Sequence, residues 1–398
     1  MIMNKAIYIC ASVALMLASC SDDETLELAK EKGISFSGVV GLNTRAQNIG
    51  TAELQQGKTL YVTTFKPNGE RLYAETAYAY DGWVWVATPE AQTWGGNDHL
   101  SFFLTYPMLG EWETGAELTT DNKTVAVSVD QEITQQKDYL AAYLPNVAKT
   151  QAGEAVPAHL KHLLSSVEIW AKNSNGAFNY KVKGIRICGV SKQVSFDLSR
   201  INETPVPFSH PAAAGVRNYE LMFDAPVALD GTVRSLMGTA GNAILPPQAA
   251  GAGTAWDGTQ TSADPDGQCG CYIAVLINLT AKAGASIYPA GSTANQETYG
   301  WVAVPATFGW ESGKKYVYTL DFSDGAGRVD PVTPGDAVDA GGNDPQKAQP
   351  ILGGLVKFGL TVTQWGQNRN DLDLKDDSKF SATVDGWVDE TTGDTVLQ

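Results

Sequence analysis

From Leu60 onward the apolar residues of this chain come in short bursts that alternate with polar ones, and each burst stops at a turn. The sharpest case is Tyr78-Ala79-Tyr80, Asp81-Gly82, Trp83-Val84-Trp85-Val86. Asp-Gly supplies the left-handed conformations of a tight hairpin, and the flanks have the period of two of a pleated strand. The same pattern marks Leu60 to Thr64, Arg71 to Tyr80, Leu100 to Tyr106 and Thr124 to Val129, with turns at Pro67-Asn68-Gly69 and Gly95-Gly96-Asn97. Strands spaced this closely predict an all-β chain whose first unit is a β-sandwich of about 110 residues. Gly, Thr, Ser, Tyr and Trp are plentiful and apolar runs are short, which disfavours long helices.

Asn146 to Pro157 is rich in small residues and predicts a boundary, giving units at 46–155 and 156–398. The second opens on His159-Leu160-Lys161-His162-Leu163-Leu164-Ser165-Ser166. A hairpin is expected next: Val167, Ile169 and Ala171, a turn at Asn173-Ser174-Asn175-Gly176, then Phe178, Tyr180, Val182, Ile185 and Ile187. Further strands are expected at Val194 to Leu198, Tyr219 to Phe223, Ala243 to Leu245, Tyr272 to Leu279, Tyr299 to Val304, Lys315 to Phe322 and Leu355 to Val362. Residues 323–349 are Gly-, Asp- and Pro-rich and read as a flexible excursion. Past Trp365 and a polar turn, alternation returns in the tail 378–398, with Phe380, Ala382 and Val384 on one face.

The N-terminus carries a different kind of signal. Lys5 precedes an apolar run from Ala6 to Leu17, shorter than the roughly 20 residues of a membrane span. The run closes on Leu17-Ala18-Ser19-Cys20 and is followed by Ser21-Asp22-Asp23-Glu24. This end resembles the lipobox of bacterial lipoproteins. The resemblance implies a signal peptide over 1–19, a lipidated Cys20 as mature N-terminus and, from the acidic tag, export to the cell surface. Residues 20–45 then read as a tether and propeptide. Within it Ile34, Phe36 and Gly38 face one way and Ser35 and Ser37 the other, as in a half-buried strand. Leu42 to Gly50 has no pattern; there Arg45, followed by small Ala46, is open to a trypsin-like protease.

The net charge of −16 with no basic block argues against nucleic acid and anionic membranes as partners. Beyond the leader only Cys188, Cys269 and Cys271 remain. An odd number implies no disulfide framework; one bridge from Cys188 to Cys269 or Cys271 and a set of buried thiols are the alternatives. Neither Cys269-Gly270-Cys271 nor His159 with His162 completes a metal-ligand set, and no metal or other cofactor is expected. Asp371, Asp373, Asp376 and Asp377 miss the spacing of a calcium loop, and Asp264 with Asp266 fares no better. Gly251-Ala252-Gly253-Thr254 lacks the lysine of a phosphate cradle, and no nucleophile elbow occurs. Of Trp83, Trp85, Trp94, Trp112 and Trp256, which could stack sugars, Trp83 and Trp85 share a strand face and read as core.

Taken in order, several segments resemble the fimbrillin-like proteins of type V pili, lipoprotein-derived pilins of gut and oral Gram-negative anaerobes. They are the lipobox at Cys20, Ile34-Ser35-Phe36 with Thr44-Arg45-Ala46, His162-Leu163-Leu164-Ser165, Leu245-Pro246-Pro247-Gln248, Trp310 to Tyr318, and Ile351-Leu352-Gly353 with Val362 to Trp365. The polar insertion Asp257 to Gly270 and the run past Trp365 depart from the pattern. The resemblance implies two tandem transthyretin-like β-sandwiches and a structural role without catalysis. It also implies cleavage after Arg45 by an arginine-specific protease, displacing a strand that contains Ile34, Phe36 and Val39. A neighbouring subunit would then refill the groove, with Phe380, Ala382 and Val384, or else the strand ending at Trp365, as donor. Implied partners are other pilin subunits, the protease, an outer-membrane lipid anchor before assembly, and host glycan or protein. The alternatives are a surface or tip adhesin that does not polymerise and, more remotely, a glycan-processing enzyme.

Overall fold

The computed structural model describes residues 33–40, 51–150, 154–212, 215–238, 241–250, 253–263, 269–332, 344–353 and 356–364. Strands dominate, as expected from the alternation; among the described residues the two α-helices, α1 (Thr51–Gln55) and α2 (Leu109–Trp112), are single turns.

The first sheet contains β1 (Ser35–Val40), β2 (Thr59–Phe65), β3 (Arg71–Tyr80), β4 (Trp85–Ala87) and β5 (His99–Tyr106). After β6 (Thr124–Ser128), which lies outside it, come β7 (Leu140–Ala148) and β8 (Val156–His162). The spatial order β1-β4-β3-β2-β5-β7-β8 closes on itself, because β1 pairs antiparallel with β4 and parallel with β8. The expected open sandwich is therefore a closed barrel in its first half. β8 lies past the expected boundary at 155/156, yet it hydrogen-bonds within this first sheet. Inside are Ile34, Phe36, Leu60, Val62, Tyr78, Trp85, Trp94, Phe102, Leu104, Val156 and Leu160.

The second half holds β9 (Ser165–Lys172), β10 (Phe178–Ser191), β11 (Gln193–Asp197), β12 (Val216–Ala228), β13 (Arg234–Ser235) and β14 (Ala243–Leu245). It continues with β15 (Tyr272–Ala281), β16 (Ser286–Tyr288), β17 (Gly300–Pro305), β18 (Lys314–Asp321), β19 (Arg328–Val329) and β20 (Lys357–Gln364). One sheet runs β12-β10-β15-β17-β19, with β16 beside β15; the other runs β13-β9-β18-β20, with β14 beside β9. β6 and β11 form a separate ribbon between the halves. Phe65, Phe103, Trp112, Val125 and Tyr139 of the first half lie in the core that also holds Ile169, Ile185, Ile273, Trp310 and Tyr318.

Three expectations are corrected. β9 and β10 do not form a hairpin; they belong to different sheets. β9 is occupied along one edge by β18 and along the other by β13 and β14, so no ladder is left for β10, and Asn173 to Ala177 turns the corner between layers. The stretch 323–349 is packed over its described parts: Ala326 and Val329 are buried and β19 extends the β17 edge. Gly327 makes this possible with φ +77, since a side chain there would meet the Ala303 carbonyl at 2.9 Å. Finally, Tyr80 pairs with Trp85 and not with Trp83. Asp81 Oδ1 accepts from the backbone N–H groups of Trp83 and Val84, which lengthens the loop by two residues. Trp85 is buried and Trp83 is 87% exposed at the tip.

Cys188, Cys269 and Cys271 are buried free thiols, so the bridge alternative falls. Burial raises all three, Cys271 to about 11. The thiolate is the reactive form, so none should alkylate in the folded, leader-free protein at about pH 8. All three should react on unfolding, and mass spectrometry before and after denaturation reads this directly.

Candidate functional site

The residues singled out in the tether strand converge on one feature, the slot that β1 fills. Alternation puts Ile34, Phe36, Gly38 and Val40 on the buried side of β1, while Ser37 is exposed. Phe36 is 0% exposed and meets Tyr78 at 5.3 Å and Phe102 at 5.2 Å between ring centroids, both edge-on. Burial raises the Tyr78 phenol well above its ordinary range, which marks how dry this pocket is. Val40 completes the buried set and was missed in the sequence. The signal was the alternation itself, continued one step past Gly38. Val39 lies between, in register with His159, which is exposed.

Gly38 has a steric reason. A methyl group built there would lie 3.1 Å from Trp85 Nε1, 3.3 Å from Trp85 Cδ1 and 3.6 Å from Leu160 Cδ1. The indole lies across the strand, so a methyl group there would be tight and Trp85 would have to give by a few tenths of an ångström.

The ladder is unequal on the two sides. β1 pairs with β8 over five positions, Phe36↔Val156 to Val40↔Leu160, but with β4 over two, Ser35↔Val86 and Phe36↔Trp85. Its ends are pinned separately. The Ile34 N–H donates to the Gln92 carbonyl (2.7 Å). The Val40 N–H donates to Thr51 Oγ1 (3.0 Å), and Thr51 Oγ1 donates to the Val40 carbonyl (3.2 Å). Burying Ile34, Phe36 and Val40 contributes on the order of 5–9 kcal/mol before ordering costs. Removing β1 would strip that cover and leave two unpaired sheet edges.

The remaining site residues of the sequence reading, Cys20, Arg45, Ala46, Phe380, Ala382 and Val384, lie outside the described residues, as do Asp264, Asp266, Asp371, Asp373, Asp376 and Asp377. His162 is structural in its contacts: Nδ1 meets Asp138 Oδ2 at 2.9 Å, and both side chains are buried. Among the described residues no group of three or more His, Cys, Asp or Glu could hold a metal. Trp94, Trp112 and Trp256 are buried, which leaves Trp83 as the exposed member of the aromatic set.

The motif segments of the second half meet in space. Gln248 and Trp310 exchange backbone hydrogen bonds, and Ser165 Oγ donates to the Glu311 carbonyl (3.0 Å). The Gly313 N–H donates to the Leu164 carbonyl, and Trp310 Nε1 donates to Tyr318 Oη (2.8 Å). They form a structural seam beneath the sheet of β9 and β18.

The geometry is that of an all-β chain whose first sheet is closed by β1. The family comparison agrees: the fimbrillin-like family matches residues 44–336, well over half of the chain, and the protein belongs to that family. The match begins at Thr44, one residue before Arg45. The protein is thus a fimbria-related subunit of the cell surface, from a structural family and not an enzyme family. Comparison with curated proteins returns no match. Among solved structures, a protein assigned to cell adhesion from Parabacteroides distasonis is similar at TM-score 0.45 and 12% identity, over 84% of this chain and 96% of that one. Another so assigned, from Bacteroides uniformis, gives 0.40 and 12%, over 84% and 98%. The tip fimbrial protein Mfa3 from Porphyromonas gingivalis gives 0.34 and 11%, over 77% and 94%. Family membership rests on the family match and not on these likenesses.

Proposed function

We propose that this chain is a pilus subunit delivered to the outer membrane as a lipoprotein on Cys20 and activated by cleavage between Arg45 and Ala46. It then polymerises when a neighbour's strand takes the place of β1. The observation that carries this reading is β1 itself, which closes a sheet through a parallel pairing with β8 and buries Phe36 at the centre of the barrel. A strand so placed is separable once the link between Val40 and Thr51, where Arg45 lies, is cut. Strand addition repairs apolar exposure and unpaired backbone together. The C-terminal tail is the better donor candidate, because β20 is already paired with β18 along its length, from Lys357↔Asp321 to Gln364↔Lys314. The two-unit division at 155/156 is kept as the organising proposal, with β8 lent to the first unit.

The test uses purified protein and an arginine-specific protease. The expected result is a new N-terminus at Ala46 and a ladder of heat-resistant oligomers. Deleting the chain from Phe380 onward should abolish the ladder without blocking cleavage; undiminished ladders would sink the tail as donor.

A second reading, a surface or tip adhesin for glycan or host protein, draws support from Trp83 at 87% exposure on the β3–β4 loop. Cleavage at Arg45 with no oligomers at any concentration would favour it.

A further inference from the structure

The slot of β1 reads sequence. Inward positions suit, from N- to C-terminus, an apolar residue at 34, a large one at 36, glycine at 38, where Trp85 crowds any side chain, and an apolar one at 40. A strand that replaces β1 with the same polarity fits best when it presents apolar, apolar, glycine, apolar at every second residue. Three glycines follow β20: Gly366, Gly386 and Gly393. Gly366 is preceded two residues earlier by Gln364, and Gly393 is flanked at those spacings by Asp389, Thr391 and Thr395. Gly386 has Ala382, Val384 and Val388 at the required positions, with Thr383, Asp385 and Trp387 between.

We propose that residues 382–388 of a second copy occupy the slot of β1 with Gly386 in the place of Gly38. Ala382 then takes the place of Ile34, Val384 that of Phe36 and Val388 that of Val40. This rests on the strand-replacement reading above and fixes its register. It shifts by two the alignment suggested by pattern alone, in which Phe380 matches Ile34 and Val384 falls on Gly38. That alignment drives a branched side chain into Trp85, where even a bare methyl is at 3.1 Å. Residues 365–381 join the donor to β20 and span at most about 60 Å. Ala382 and Val384 are smaller than Ile34 and Phe36, so the covalently attached β1 is the better filler. The slot therefore stays closed until Arg45 is cut.

Disulfide trapping in the full chain tests the register. Val39 pairs with exposed His159, and neighbouring strands lie about 4.8 Å apart, within disulfide reach. After cleavage at Arg45, His159→Cys with Trp387→Cys should give intermolecular cross-links, and His159→Cys with Asp385→Cys should not; the native thiols past Arg45, Cys188, Cys269 and Cys271, are buried. Gly386→Val should weaken the ladder at least tenfold with the monomer melting unchanged. Cross-linking of the Asp385 pair instead would overturn the register. A Trp387 link within a single chain would overturn the second copy as occupant. A normal ladder with neither link would mean another donor, leaving strand replacement itself standing. Unmodified protein that cleaves but never oligomerises would remove both.

Discussion

Phe36→Ala should destabilise the uncleaved protein by roughly 3–5 kcal/mol, the usual cost of deleting a buried phenylalanine. The ring contacts Tyr78 and Phe102, and the parallel ladder on β8 starts at this residue, so the surroundings have little freedom to collapse. Urea unfolding reads the loss. The same substitution should act in the opposite direction after cleavage at Arg45. β1 is then held by non-covalent contacts alone, and 3–5 kcal/mol corresponds to roughly 150-fold to 5,000-fold in its release. The oligomer ladder should appear faster, and the finished oligomer should be as stable as that of the parent, since Phe36 is no longer in it. A variant that is less stable when uncleaved yet polymerises at the parent's rate would show that β1 is not the strand that leaves.

Lys315→Met should be as damaging in the second half, through charge and not volume. Lys315 Nζ lies 2.8 Å from Glu168 Oε2, and Ser235 Oγ donates to Glu168 Oε1 at 2.7 Å. Both charged side chains are buried on neighbouring parallel strands, where Val317 is in register with Glu168. Removing the ammonium leaves a buried carboxylate without its counter-charge, a loss of about 3–5 kcal/mol. Glu168→Gln together with Lys315→Met should recover most of it, because the pair as a whole is close to neutral against an uncharged equivalent. A double variant no better than the single one would show that the pair is not the source of the loss.

Short apolar bursts between turn residues made β2, β3, β5 and β6 legible to within a residue or two, although burial alternates cleanly only in β6. The pairings were not legible. β1 with β8, β6 with β11 and β9 with β18 join segments far apart in sequence, and no local pattern records which edge meets which. Trp83 was misplaced for a related reason. A loop two residues longer preserves the parity of the strand, so alternation cannot distinguish Tyr80 opposite Trp83 from Tyr80 opposite Trp85; the Asp81 carboxylate decides it. In the described parts of 323–349 composition misleads: Ala326 and Val329, small apolar residues in a Gly-rich stretch, are buried. The candidate site was half visible: Ile34, Phe36 and Gly38 announce a buried strand, but the indole that favours glycine at 38 belongs to β4.

The direction of β1 beside β8 has a consequence for symmetry. A slot filled by the tail of another copy head to tail, and not by reciprocal exchange across a two-fold axis, joins unlike surfaces. Such contacts are heterologous, and unless the rotation between neighbours happens to close a ring they propagate. An assembly built this way has two unlike ends: one copy with its slot open to the next arrival, and one with its tail unspent. Growth and termination would then be properties of the ends alone, and a copy that keeps its own β1 could sit only at the end whose slot needs no donor.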